Sequence, residues 1–170
     1  MNREDLVYQC ERKAVRVLLL DSDDSVLLLH VRDSSRPRMQ PWWELPGGGF
    51  EEGETPSDVA IRELAEETGF HLSPVQVSDP VWFRSCTYLH RGRRVLQHER
   101  IVVARVDSTA PDLGQHRRTP TETEDIIGSR WWSLSALPAS SQRFFPGTLA
   151  RYVGEVLAGQ TVHEELEVWE

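Results

Sequence analysis

Two near-continuous apolar runs, residues 14–20 and 26–31, flank the polar segment Asp21-Ser22-Asp23-Asp24-Ser25. Short β-rich runs of this kind are the pattern of strands buried on both faces, and the polar break predicts a hairpin between them. Residues 32–40 carry Ser, Pro and Arg without periodicity and predict a loop. Residues 42–50 then form a short apolar stretch running into a glycine-rich turn. Between Thr55 and Thr68 the period changes. Ile61, Leu64, Ala65 and Thr68 recur at helical spacing, which predicts a helix whose apolar face packs on a sheet.

The ends of that helix are written in the sequence. Thr55 suits the N-cap, Pro56 the first turn, and Asp58 stands three residues after the cap; Gly69 supplies a left-handed stop. Beyond it, residues 81–89 and 95–106 predict a second pair of strands around a turn at Arg91-Gly92. Residues 107–123 are polar and contain proline, and predict a loop. Residues 130–133 predict a short strand, 135–137 a turn or short helix, and 146–157 a second amphipathic helix ending at Gly159. Residues 160–170 form an acidic tail. Strands before and after a helix, with another helix late in the chain, predict an α/β fold with a mixed sheet covered on two faces.

Composition adds little except by exclusion. With 170 residues, 39% hydrophobic and 27% charged, the chain suits one domain spanning 1–170 with its own core. Residues 1–9 are polar and acidic where a secretory signal would be basic and then apolar. The apolar runs are too short to span a bilayer, so no membrane partner is expected. Cys10 and Cys86 make neither a disulfide framework nor a zinc site, which fits buried or idle thiols in a reducing cytoplasm. A net charge of −8 weighs against polymeric nucleic acid as a partner. It leaves room for a small anionic substrate, because a metal ion can invert the field of an acidic site.

Candidate chemistry sits on the helix. Glu63, Glu66 and Glu67 stand at i, i+3 and i+4, and should emerge together on the side opposite the apolar face. A solvated acidic face relieved by Arg62 is one reading of this spacing. A site for a hard divalent cation is the other, since Mg²⁺ is held by a few carboxylates together with waters and phosphates.

The surrounding residues separate the two. From Gly48 to Phe70 the chain reads GGFEEGETPSDVAIRELAEETGF, and this segment resembles the Nudix box, G-x5-E-x7-R-E-U-x-E-E-x-G-U, with U a bulky hydrophobic residue. Gly48, Glu54, Arg62, Glu63, Glu66, Glu67 and Gly69 fill every fixed position, and Leu64 the first hydrophobic slot. Phe70 takes the last slot, where aliphatic residues are commoner. The two strands ahead of the box and the late Trp131-Trp132 strand before a helix also look like the family.

The resemblance implies the Nudix fold, an α/β/α sandwich around a mixed sheet. It also implies metal-dependent hydrolysis, with Mg²⁺ or Mn²⁺, of a diphosphate linkage in a nucleoside diphosphate joined to another moiety. Carried over position by position, Glu63 and Glu67 are metal ligands with Glu66 beside them, and the Gly47 carbonyl is a further ligand. Arg62 and Glu54 become organisers that pair with neighbouring carboxylates and backbone; for Arg62 a structural ion pair is the plainer reading. Which glutamate acts as base stays open. Some members recruit another carboxylate from a later loop, for which Glu122, Glu124, Asp125 and Glu99 are candidates, each otherwise an ordinary surface residue.

Substrate contacts are less well marked. Arg32, Arg36, Arg38, Arg84, Arg91, Arg93 and Arg94 are candidates to grip phosphate, or simply solvated surface. Trp42, Trp43, Trp82 and Phe83 could stack on a base or belong to the core. Ser85 stands where ADP-ribose hydrolases carry a proline, and Tyr88 near where dinucleoside polyphosphate hydrolases carry a tyrosine. Capped RNA stays within the substrate range, and a homodimer is compatible with the family. Two competing readings are a catalytically silent nucleotide- or protein-binding module on the same fold, and a prenyl diphosphate isomerase, for which Cys86 lacks context.

Overall fold

The computed structural model describes residues 7–114 and 116–169. Its centre is β1 (Cys10–Leu20), where side chains alternate between two cores. Leu18 and Leu20 point into one, and Val15, Val17 and Leu19 into the other, all of them fully buried. This explains the unbroken apolar run, since a strand covered on both faces has no polar side to show.

β1 lies between β6 (Arg93–Arg105), which runs parallel to it along its whole length, and two successive partners on its other edge. These are β4 (Gly47–Gly49), paired with residues 14–16, and β2 (Val26–Val31). The predicted hairpin between β1 and β2 is present but short. The two strands pair antiparallel only at Leu20 and Val26, where Asp21 Oδ1 accepts the backbone N–H groups of Asp23 and Ser25. β2 then leaves to pair with β7 (Ile126–Trp132) and β3 (Trp42–Glu44).

β5 (Trp82–His90) and β6 form the second hairpin. Its turn residues Arg91 and Gly92 have φ of 48° and 77°, as a two-residue turn matched to strand twist requires. The sheet is mixed, in the order β10-β5-β6-β1-β2-β3-β8, with β8 at Phe144–Phe145 and β10 at Glu167–Val168. α1 (Pro56–Thr68) covers the face built on Val15, Val17 and Leu19, and α4 (Leu149–Leu157) covers the other. This is the expected α/β architecture, with helices on both faces of the sheet.

Four local expectations are revised. The glycine-rich turn at residues 47–49 is strand β4, and at Gly47 bare backbone is all that fits. A Cβ on Gly47, whose φ is 142°, would lie 2.1 Å from the Val15 carbonyl oxygen. The polar loop of residues 107–123 gives way at its end to α2 (Pro120–Asp125), capped by Thr119 with Glu122 closing a capping box. The late helix begins only at Leu149, after β8 and the turn that follows it, while the short helix expected near residues 135–137 is present as α3 (Ala136–Ala139). Lastly, the acidic tail contains β9 (Val162–His163) and β10, both laid parallel along β5.

Candidate active site

Helix α1 starts and stops as its sequence dictates. Thr55 accepts from the Asp58 N–H, Asp58 accepts from the Thr55 N–H in return, and Gly69 closes the helix with φ 77°. Its buried face differs from the expected one. Val59, Ala60, Glu63, Leu64, Glu67 and Thr68 are buried, whereas Ile61 and Ala65 are half-exposed. Glu63 and Glu67 thus lie along the edge of the packed face, 6% and 5% exposed, and not on the far side of the helix. Leu64, Ala60 and Val59 choose the rotation, and the two carboxylates are carried under with them.

Burying carboxylates needs compensation. Glu67 accepts the Gly47 N–H at 2.8 Å. Its carboxyl is nonetheless held well above the usual range, first by burial and then by the nearby Glu63, with the Gly47 N–H and Arg16 acting the other way. Glu63 is also raised, chiefly by burial; Arg62 opposes this, and Glu66 and Glu122 reinforce it. Crowded acidic groups that resist ionisation are poised for a divalent cation, which favours their charged forms.

α2 brings in the third member. One ligand atom each from Glu63, Glu67 and Glu122 lies within 4.8 Å of the others, a donor set of hard oxygens suited to Mg²⁺ or Mn²⁺. Glu122 is placed by its own capping role, since its carboxylate accepts the Thr119 N–H at 2.6 Å. The loop before α2 is tied to α1 as well. The Arg117 N–H donates to the Glu66 carbonyl, and Arg118 Nε donates to the Glu67 carbonyl. Glu66 and Glu124 stand outside this group of three; Glu66 is 35% exposed at its side chain and meets Arg62 at 3.5 Å.

Arg62 sits among five acceptor atoms, of which Glu66 is the most distant. It donates to both oxygens of Glu54 at 2.7 and 2.8 Å, to Glu63 at 2.8 Å and to the Gly49 carbonyl at 2.9 Å. Glu54 in turn accepts the Glu51 N–H. One guanidinium therefore fixes the loop, the glycine strand and a cluster carboxylate together, and this is the bidentate geometry at which Arg excels.

Arg16 is the residue that sequence reading passed over. It stands inside the apolar run of β1 and reaches Glu99, Glu44 and the Leu45 and Gly47 carbonyls. A charge embedded in a buried strand is itself the signal that could have found it, because such a charge has to be paired. Through Arg16 and Glu44 the glutamate cluster adjoins a cleft lined by Trp42, Tyr88, Phe145 and Trp169, with Arg32 and Arg36 also on its wall.

Other candidates fall elsewhere. Arg84 does not face solvent; its side chain is fully buried and pairs with Glu99, Glu164 and Glu167. Glu99 is committed to Arg16, Arg84 and Gln97. Burial works against its charge, but the two guanidinium groups prevail and hold its carboxyl below the usual range. Trp43 lies outside the cleft, stacked on His30 and set edge-on to Trp132. Tyr88 lines the cleft and donates to Gln97. Trp82 is a core residue. Cys86 is buried against Phe145 and Trp169, and burial pushes its thiol up.

A mixed sheet between helices, with a glutamate cluster on a helix that follows a glycine strand, defines a Nudix-type pyrophosphohydrolase. The NUDIX domain model matches residues 11–152, most of the chain, and the protein belongs to the Nudix family. An RNA pyrophosphohydrolase of Rhizobium meliloti is 36% identical over 149 residues, covering 82% of this chain and 87% of the relative. One from Dinoroseobacter shibae is 30% identical over 132 residues, covering 73% and 80%. Among solved structures, a MutT protein from Methanosarcina mazei Go1 superposes with a TM-score of 0.59 at 19% identity, over 89% of this chain and 99% of its own. That likeness concerns the fold alone.

Proposed function

We propose that the protein hydrolyses a diphosphate linkage in a nucleoside polyphosphate or a nucleoside diphosphate joined to another group, with Mg²⁺ or Mn²⁺ held by Glu63, Glu67 and Glu122. The observation that carries this reading is the convergence of those three carboxylates from two separate helices. The Gly47 carbonyl, in contact with Arg16 at 3.4 Å, is the further oxygen donor in this reading. A divalent ion supplies positive charge to phosphate oxygens and makes an oxygen nucleophile accessible at neutral pH.

The chain's own residues do the rest. Arg62 and Glu54 hold Glu63 in place, and the Gly47 N–H holds Glu67. Glu66, at the exposed margin of the helix, is available to take a proton from attacking water. The adjoining cleft receives the nucleoside, and Arg32 and Arg36 favour the anionic part of the substrate. We place the enzyme in the cytoplasm, in keeping with its two unpaired cysteines.

The two relatives named RNA pyrophosphohydrolase support extending the proposed substrates to RNA, and capped RNA stays in the range that the family resemblance implies. The test is turnover of nucleoside triphosphates, nucleotide sugars, ADP-ribose, dinucleoside polyphosphates and 5′-triphosphorylated or capped RNA with Mg²⁺ or Mn²⁺, beside a Glu67→Gln variant. Metal-dependent phosphate or nucleotide release, abolished in the variant, is expected. Metal-independent binding without any turnover would instead support a silent binding module.

A further inference from the structure

The tail beyond the matched NUDIX region builds one wall of the cleft. The family match ends at residue 152, yet Trp169 lines the cleft together with aromatic, polar and two aliphatic side chains (Val31 and Leu89) of the matched region. It meets Trp42 edge-on at 6.0 Å between ring centroids and Phe145 at 5.0 Å. Arg143 lies over its ring at 4.4 Å.

The tail is fixed firmly enough to serve as a wall. Val162, Glu164 and Trp169 donate backbone hydrogen bonds to Val81, Phe83 and Thr87. Glu164 accepts from Trp82 Nε1, Arg84 and Thr148, and Glu167 pairs with Arg84 and accepts the Gly147 N–H. Arg84 is thus the buried clasp of this strap. A Cβ on Gly147 would lie 2.4 Å from Glu167 Oε1, so the strap is seated against bare backbone at that point.

We infer that Trp169 is a specificity-determining residue, presented by the strap of residues 160–169 as an aromatic wall for the base of the nucleotide. The inference rests on the proposed nucleotide chemistry of the adjoining site. The occupant follows from the surroundings. Trp42, Tyr88, Phe145 and Trp169 offer π-faces and edges suited to a planar heterocycle. Arginines line the same cleft, and Arg16 and Glu44 connect it to the glutamate cluster, where the phosphates belong.

The experiment uses the full chain and nucleotides that cannot be cleaved at either anhydride, the analogues of ATP, GTP, CTP and UTP with methylene in both the α,β and β,γ bridges, titrated calorimetrically with Mg²⁺. Trp169→Ala should weaken the best-bound analogue about tenfold, and Trp169→Phe should recover most of that loss. Tripolyphosphate, which has no base, should bind all three proteins alike. A second readout uses the unaltered protein: the 8-azido derivative of the preferred purine nucleotide, or the 5-azido derivative of a pyrimidine, should crosslink to the peptide containing Trp169.

Equal affinity of the analogue for Trp169→Ala and the unaltered protein, an equal loss for tripolyphosphate, or crosslinks confined to other peptides would overturn the inference. So would failure of all four analogues to bind. Because hydrolysis is not measured, the outcomes separate: tight binding without turnover of true nucleotides removes the proposed reaction and leaves the wall. Turnover that is indifferent to Trp169 does the reverse.

Discussion

A Cβ on Gly48 would lie 2.1 Å from Oε1 of Glu63, so the carboxylate of the helix occupies the space that any side chain on the strand would need. The first fixed glycine of the box is therefore a steric partner of Glu63, the glutamate that follows Arg62. Gly48→Ala should fold, because its φ is outside the left-handed region, but with Glu63 displaced. The expected loss in activity is about 10–100-fold, the range for residues that orient ligands. Thermal melting without metal beside turnover with metal separates the two effects. Gly47→Ala should behave differently and fail to fold, since its Cβ would strike main chain at Val15.

Arg62 joins Glu54, Glu63 and the Gly49 carbonyl. Arg62→Ala should lower kcat about 10–100-fold. Arg62→Lys should rescue little, because one ammonium cannot span both oxygens of Glu54 and two further acceptors. Steady-state kinetics of the pair tests this; full recovery with lysine would show that only charge matters.

Removal of the metal has a pH signature. Glu63 and Glu67 have folded-state pKa values raised above the ordinary 4.5. A group raised in the folded state contributes stability at pH below its unfolded value and loses it as pH rises through the folded one. The chelated protein should therefore weaken as pH climbs from about 4.5 towards neutrality at these two groups. Added Mg²⁺ or Mn²⁺ should offset this increasingly as the protons leave, by about 2.7 kcal/mol when the free ion is at about 100 times its Kd. Melting curves across pH, with EDTA and with metal, give the comparison, and Glu67→Gln should flatten the difference.

Glu99 has the opposite sign. Its carboxyl is held below 4.5 by Arg16 and Arg84 against the effect of burial, so its contribution is complete above that value and fades as pH falls through the lower folded one. Glu99→Ala should destabilise the protein by about 3 kcal/mol at pH 7, because it strands buried guanidinium charge. The gap between variant and unaltered protein in urea unfolding should narrow in acid.

Much of the fold and the chemistry of α1 can be read directly, because both depend on local rules. Strand runs, caps and the left-handed Gly69 involve residues a few positions apart. The helix rotation is harder: Ile61 and Ala65 compete with Val59 and Ala60 for the core, and only the sheet decides between them. The selection of Glu122 over Glu124 and Glu99 depends on α2, whose Thr119-Pro120-Thr121-Glu122 capping signature is short and easily taken for loop. Arg84 was unreadable as a clasp, since its partners Glu99, Glu164 and Glu167 lie on other strands or in the tail. Trp169 gives no local sign of facing a cleft at all.

The long parallel pairing of β1 with β6 sets a condition on how the protein comes into being. β1 finds its principal neighbour in the second half of the chain, so a long loop must close before the central sheet exists. β4 docks on β1, and α1 rests on the same sheet. During synthesis, a nascent chain that already carries the whole box, Gly48 to Phe70, still has no platform to hold its glutamates. The box is contiguous as text but not autonomous as an object. Competence for metal should therefore appear late and all at once, when residues 93–105 and the α2 segment have joined the fold.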